Sequence, residues 1–506
     1  MYQRATSRIL LAVLLSTPLA VPRSALAQSS GVTEPSSTET ASRPAAPSEA
    51  DEADTPDSDK KKLISLLDVE PPLLNGIMRY PKYYGDPNMI RGDLFERSHL
   101  LGDWGGARDD LAASGLIVDF GLTQVFQGVA SGDSDDDTSY VGSADVWLGL
   151  DTGRAGLWSG GLIFAHGEAN WGDPLTGTGA LVPLNGDAIA PGEPDSIALS
   201  EIYLTQALSE QVLVVAGKIN WAAWADTSFF ANSERTQFLY EGLVNTAMLG
   251  PFVPYTGWGA FMAVKVAEEH AVGFLATQNA GRATVTGFND FRMDEMTFAA
   301  AYTFSPKIGA LPGQYAFVGA YTSKETLGFA VDDQYLFGTE LTDIIARLPT
   351  TADDNYAFIF TGSQYLWVRD GGGHKHSDPA TYATARRDNV NPVGLGLTAR
   401  FGIAPSDRNV IDQFYSIGIG GWGGFAGRDD DNWGIGWAGS HISSDFRDFS
   451  GEFDLDFEDF EHGVEAFYNF ALTPAAHLSG HVQWINPIDS TKDDIVTLSA
   501  RLQLDF

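Results

Sequence analysis

The chain has 506 residues, of which 44% are hydrophobic, 19% are charged and 55 are glycine, so it is too apolar for an extended disordered protein. Its mean hydropathy of −0.09 is too polar for a bundle of membrane helices, so any membrane crossing falls to strands. A net charge of −35 argues against nucleic acid, whose phosphates demand clustered Lys and Arg, and the lack of cysteine excludes disulfides and thiolate zinc sites.

At the start of the chain, Arg4 and Arg8 precede an apolar run from Ile9 to Ala20, and Ala25-Leu26-Ala27 supplies an A-x-A cleavage site. Residues 1–27 therefore read as a cleaved export peptide, since a membrane anchor needs about 20 apolar residues. Cleavage removes three arginines and no acids, leaving 28 basic against 66 acidic residues and a mature charge of −38. Residues 28–62 are Ser, Thr, Pro, Ala and acid, with too little apolar surface to offset ordering entropy, and read as a disordered linker. Residues 63–115 form an N-terminal segment with short helices: Leu63-Ile64-Ser65-Leu66-Leu67 is one candidate, and Asp103 can cap a second over Trp104 to Ser114, ended by Gly115.

From Leu116 the period becomes two, and residues 116–506 read as a β-domain. Leu116, Val118, Phe120 and Leu122 share one face while Asp119, Gly121 and Thr123 share the other; the last strand alternates Val496, Leu498, Ala500, Leu502 and Leu504 with Thr497, Ser499, Arg501, Gln503 and Asp505. A soluble sandwich also alternates, but its strands run to about 5–6 residues. These run to about 9–12, the length of a tilted strand crossing a bilayer. About sixteen such segments are found, near 116–126, 141–151, 161–169, 197–207, 211–219, 257–267, 270–279, 296–304, 314–323, 355–369, 393–402, 411–424, 432–440, 462–471, 475–486 and 495–506. Short connections (Ala267-Glu268-Glu269, Ala404-Pro405-Ser406-Asp407, Leu472-Thr473-Pro474) are expected at the periplasmic end, and long ones (170–196, 220–256, 324–354, 441–461) outside. The fold expected is all-β, a transmembrane antiparallel up-and-down barrel of sixteen strands with a short N-terminal helix. Trp147, Trp158, Tyr203, Trp258, Tyr302, Tyr468 and Trp484 are candidates for its interfacial aromatic girdles, or for the pore wall.

Leu101-Gly102-Asp103-Trp104-Gly105-Gly106-Ala107-Arg108, Gly156-Leu157-Trp158-Ser159-Gly160-Gly161 leading to His166-Gly167, Glu201-Ile202-Tyr203 followed by Val215-Ala216-Gly217-Lys218, and Trp484-Ile485-Asn486-Pro487 running to Phe506 make the chain resemble the carbohydrate-selective porins of the OprB type over roughly Leu100 to Phe506. The resemblance implies a bacterial outer-membrane location, passive diffusion of small sugars, no cofactor and no enzymatic activity. It implies as partners outer-membrane lipid and lipopolysaccharide, and the assembly machinery, reading the terminal Phe506; homo-oligomerisation is compatible with it. A nonspecific diffusion pore is the alternative, and a secreted soluble β-rich polysaccharide-binding protein is the alternative of another class; membrane fractionation separates the last from both.

Sugar selection needs aromatic faces and charged or amide groups where the lumen narrows. The long connection from Asn220 to Tyr255 is the best source, bringing Trp221, Trp224, Asp226, Glu234, Arg235, Tyr240 and Glu241. Strand residues on the face away from lipid add Asp119, Asp145, Glu201, Lys218, Arg400, Glu465 and Arg501, because a charged Arg or Lys facing lipid at the midplane costs about 2–4 kcal/mol. No metal site is expected: Asp133 to Asp137 lacks the glycine and glutamate of a calcium loop, and His374, His376 and Asp378 have no further ligands. Gly418 to Gly423 matches G-x-G-x-x-G without the helix a nucleotide site requires.

Overall fold

The computed structural model describes residues 92–189, 196–221, 228–254, 256–279, 288–289, 291–309, 311–329, 350–369, 392–424, 427–452 and 455–506. The export peptide, the linker, the Leu63–Leu67 helix, Trp224, Asp226, Tyr255 and the His374-His376-Asp378 group lie outside the described residues. Sixteen strands form the barrel: β1 (Leu116–Ser131), β2 (Thr138–Asp151), β3 (Gly161–Asp173), β4 (Ser196–Ala207), β5 (Val212–Ile219), β6 (Gly257–Ala267), β7 (His270–Gln278) and β8 (Met296–Phe304) in the first half. The second half is β9 (Leu311–Thr322), β10 (Asn355–Val368), β11 (Gly394–Ile403), β12 (Ile411–Trp422), β13 (Asn432–Ile442), β14 (Phe460–Thr473), β15 (Ala476–Asn486) and β16 (Ile495–Asp505). Each pairs antiparallel with its sequence neighbours, and β1 pairs with β16 from Gly121–Asp505 to Ser131–Val496, closing the ring. Closure leaves no strand edge for hydrocarbon to desolvate. No helix among the described residues is long and apolar enough to cross a membrane.

Burial is inverted relative to a soluble protein. Along β16, Thr497, Ser499, Arg501, Gln503 and Asp505 are buried, whereas Leu498 is 54% exposed. Phe126, Phe274, Phe298, Phe358 and Ile417 on other strands are likewise open on the outside, while Asp119, Asp145, Glu201, Lys218, Arg400 and Glu465 are buried inside. An apolar exterior over a polar interior is stable only with hydrocarbon around it. Trp147 and Tyr203, the two girdle candidates on β2 and β4, turn inward and pack with Phe164, Leu213 and Val215. Tyr302 and Trp484 stay on the exposed outer surface.

Two connections differ from expectation. The strand register puts Ala404-Pro405-Ser406-Asp407 at the end of the barrel that carries the long loops: Asn355 and Asn409 exchange side-chain hydrogen bonds, and the Ser443 hydroxyl donates to the Ser406 carbonyl. The long connection after β10 instead leaves at the short-turn end, where Arg369 pairs with Asp429 at 2.5 Å. Length alone misassigns both, because a barrel's alternation of ends is fixed by strand count.

The N-terminal segment clasps the closing seam at the short-turn rim. Asp103 accepts from the Gly105 N–H and starts a short helical turn that runs into a helix over Ala107–Ala113. Gly115 then takes φ +92° beside the Asp151 carbonyl, 2.7 Å from where a Cβ would lie, so only glycine fits. Arg108 reaches inside to the Asp119 carboxylate (2.7 Å), which His99 also meets (2.9 Å), and the Leu100 N–H donates to the Asp505 carbonyl.

Candidate functional site

The connection between β5 and β6 crosses the lumen. Its residues meet inward-facing side chains on β11 to β16, including β13 and β14, eight places round the sixteen-strand ring. The Asn432 amide donates to the Thr236 carbonyl (2.9 Å), and the Glu465 carboxylate accepts from the Leu239 and Tyr240 N–H groups (2.9 and 2.7 Å). Trp422 Nε1 donates to the Phe229 carbonyl (3.1 Å) and Arg501 Nη1 to that of Glu234 (2.5 Å). Arg400 donates to the carbonyls of Leu243 (3.1 Å), Val244 (3.0 Å) and Ala231. A loop inside a barrel has backbone groups with no ladder to join, and these side chains supply the missing partners.

A second inward loop, between β3 and β4, lies against the first. Glu461 on β14 accepts from the Leu181 and Val182 N–H groups (2.5 and 2.8 Å), and Gln483 on β15 donates to the Leu184 carbonyl (2.8 Å). The loops join through Gly186 N–H to the Leu239 carbonyl (2.7 Å) and Glu241 N–H to the Pro183 carbonyl (3.0 Å). Sequence reasoning treated this connection as external. Its one sign was the apolar run Ala180-Leu181-Val182-Pro183-Leu184 within a polar loop.

A charged cluster stands on β2–β4 beside the joined loops. Arg235 pairs with Asp145 (2.5 Å) and lies over the Trp147 ring at 5.4 Å. His166 stands between Asp145 (2.7 Å) and Glu201 (3.1 Å), and the other Glu201 oxygen accepts from the Asn220 N–H (2.8 Å). Of the expected constriction residues, Glu201, Glu234, Arg235 and Arg400 are therefore brought to the two loops or the wall facing them. Lys218 is fully buried near the end of β5, opposite Ile202 of β4 and Trp258 of β6. Trp221 is covered as well: its indole donates to the Gly257 carbonyl (3.1 Å) and packs with Trp147, Tyr203 and Ile219. Glu461, Glu465 and Arg501 hold the loops in place, a role that required knowing which backbone groups arrive opposite them.

Asp187, in the Gly186–Ile189 turn of the second loop and hydrogen-bonded by Ser143 (3.3 Å), has its pKa pushed up to about 7 by burial, against the pull of Arg235 and with the repulsion of Glu234, Asp145 and Glu168. A carboxyl whose folded pKa is raised favours the docked loop most at low pH, and that preference fades as pH rises from about 4 through about 7. The ratio of open to docked loop should therefore climb by up to about tenfold per pH unit in that window and level off above it. Single-channel noise recorded from pH 4.5 to 8 checks this; the Asp187→Asn channel should be flat, and a wild-type profile equally flat would refute it.

A closed sixteen-strand barrel, dry outside, polar inside and narrowed by loops pinned across its lumen, is an outer-membrane channel. The sequence model of the carbohydrate-selective porin, OprB family, matches residues 136–506, so the chain belongs to that family and admits carbohydrate by passive diffusion. Among solved structures, the high-pH form of Pseudomonas putida OprB is similar at 17% identity and a TM-score of 0.63, covering 81% of this chain and 98% of that one, which is a likeness of fold. The low-pH form of the same protein gives 14% identity and a TM-score of 0.49 over the same shares. Pseudomonas aeruginosa OccK11 (OpdR) gives 8% and 0.41, covering 77% of this chain and 96% of that one. No curated protein matches the sequence.

Proposed function

We propose that the two joined loops form the selectivity constriction, and that neutral sugars pass it in preference to anions, with no catalytic step. The observation that carries this reading is the crossing of the lumen by residues 228–244, fastened to the far wall by Arg400, Glu465 and Arg501. Glu234 and Arg235, held 3.9 Å apart on that loop, are the partly open charged groups placed to meet a solute's hydroxyls, and a guanidinium can grip two of them at once. Asp145, Glu168, Glu201 and Glu234, joined by Asp187 above a pH of about 7, outnumber the neighbouring Arg235, His166 and Arg501, and the mature charge of −38 carries the same sign. A narrow passage with that balance repels anions.

In the same proposal, the assembly machinery reads Phe506, whose N–H then closes the seam by donating to the Phe120 carbonyl (3.0 Å), and lipid with lipopolysaccharide covers the outer surface. Reconstituted in liposomes, the full chain should admit neutral hexoses several-fold faster than sugar acids of equal size. In a planar bilayer under a salt gradient, the reversal potential should show cation preference. Entry ordered by size alone would support a nonspecific pore, and anion preference would refute the charge reading.

A further inference from the structure

The outer wall of the barrel carries an apolar groove of about 820 Å³ over β6 to β10. Two adjacent ladder rows face lipid there. The upper row reads Ala260, Ala276, Phe298 and Tyr321. The lower row, two residues further from the long-loop end on each strand, reads Met262, Phe274, Ala300 and Gly319. Ala276 and Ala300 are diagonal neighbours, so a floor of small residues steps obliquely from β6 to β9. Phe274 stands on one side of it and Phe298 on the other, each ring 50% exposed. Towards the long-loop end the groove runs up to two cations. The Arg292 N–H donates to the Gln278 side chain (3.0 Å), and Lys324 Nζ donates to the Asn279 carbonyl (3.2 Å). Gln278 and Asn279 follow Ala276 on the same chain, so at about 3.3 Å per residue these anchor points lie about 7–10 Å above the floor. Arg292 is exposed between the exposed Phe291 and Met293. Phe288 of the same connection stacks at 4.3 Å on Trp258, two residues before Ala260 and so on the same outward face. A tryptophan and apolar side chains turned outward beside cations mark the level of the lipid headgroups.

We infer that this groove is a binding site for lipid A, the phosphorylated and acylated glucosamine anchor of lipopolysaccharide. One acyl chain lies over Ala276 and Ala300, and a phosphate meets Arg292 and Lys324. The inference rests on the reading that lipopolysaccharide covers the outer surface, and adds where one molecule is held. The leaflet decides the occupant, because the long-loop end of such a barrel faces outward. Chain and barrel are both apolar, so no hydrophobic gain separates a bound chain from a free one. Retention falls instead to packing contacts, which a groove multiplies over a flat wall, and to the charge-assisted bonds of the phosphate. Asp294, Glu295 and Glu325 stand in the same two connections. A magnesium ion can bridge such a carboxylate to the phosphate, so these acids do not oppose the site.

The test uses the full chain in phosphatidylethanolamine vesicles that contain lipid A and magnesium, and reads the lipid retained by each barrel by native mass spectrometry. Lipid A should be retained about tenfold over phosphatidylethanolamine, the equivalent of about 1.4 kcal/mol. Gly319→Leu should bring that ratio to within about threefold by filling the floor. A Cβ added at Gly319 meets only Phe358, at 3.5 Å, so the new side chain enters the groove without strain. Ala300→Phe fills the same floor and covers the case in which Gly319→Leu does not fold. Arg292→Ser combined with Lys324→Ser should erase the preference for lipid A over its dephosphorylated form, and a preference that survives overturns the assignment of those two cations. Equal retention of lipid A and phosphatidylethanolamine by wild type, retention of neither, or a ratio unmoved by the folded groove variants overturns the site and leaves the sugar channel standing. A dimer found in place of bound lipid and lost in Gly319→Leu also overturns it, and gives the groove to a second copy of the chain. A barrel that does not enter the vesicles overturns the lipid-covered surface as well.

Discussion

Leu498→Arg should abolish most insertion of the barrel into bilayers. Leu498 is the fourth of the eleven residues of β16, opposite Gly128 of β1 and Val482 of β15, with its side chain 54% exposed on the outer face. There a guanidinium meets hydrocarbon and loses its hydration without gaining a partner, a cost of about 2–4 kcal/mol at the midplane that falls off towards the rim. A further loss comes from position: β16 closes the ring, so weakening it opens two ladders. Leu498→Ala removes apolar area without adding charge and should fold in good yield. Folded fraction read from heat-modifiable gel mobility after refolding into lipid vesicles separates the outcomes. A soluble sandwich exposing the same leucine would tolerate or favour arginine, so equal folding of Leu498→Arg and wild type would place the apolar face in water and remove the membrane assignment.

That facing was legible in the sequence for the strands whose two sides differ. β16 alternates without interruption and β1 does so from Val118 to Thr123, and the structure keeps Asp119, Thr123, Arg501 and Gln503 inside. Strands β7 and β8 were much harder to read. His270–Gln278 and Met296–Phe304 carry Ala, Gly and Leu at the middle of the lumen side and threonine (Thr277, Thr297, Thr303) only at its ends, so period two has little polarity to display, and length and turns mark them best.

The candidate site was legible as a composition and illegible as an arrangement. A long connection rich in Trp, Glu and Arg pointed to 220–255, whose described part does enter the lumen, but Trp221 is turned into the wall because its indole finds the Gly257 carbonyl. The companion loop depends on Glu461, some 280 residues away, and no local pattern announces such a bond. A lumen charge also looks the same in sequence whether it faces water or a backbone group. Arg400 and Glu465 read as pore lining and act as fasteners.

Arg400→Ala should therefore loosen the constriction and leave the barrel intact. Arg400 is 3% exposed, and its guanidinium satisfies three carbonyls on the loop, those of Ala231, Leu243 and Val244. Removing it leaves buried acceptors unpaired, at about 1–3 kcal/mol each. Glu465, Arg501 and Asn432 still hold the segment from Glu234 to Tyr240, so the part that loosens is the stretch around Leu243 and Val244, between the Glu241 N–H on the Pro183 carbonyl and the Phe252 carbonyl on Thr297. The expected result is a larger and noisier single-channel conductance, with sugar entry less dependent on solute identity. The temperature of heat modification should barely move, since no strand ladder passes through the guanidinium. Arg400→Lys should fall between, because one ammonium cannot span the carbonyls that the planar fork reaches. Unchanged conductance and unchanged sugar preference in a folded Arg400→Ala channel would show that the loop's other contacts hold it, and that the narrowing of the pore owes nothing to this arginine.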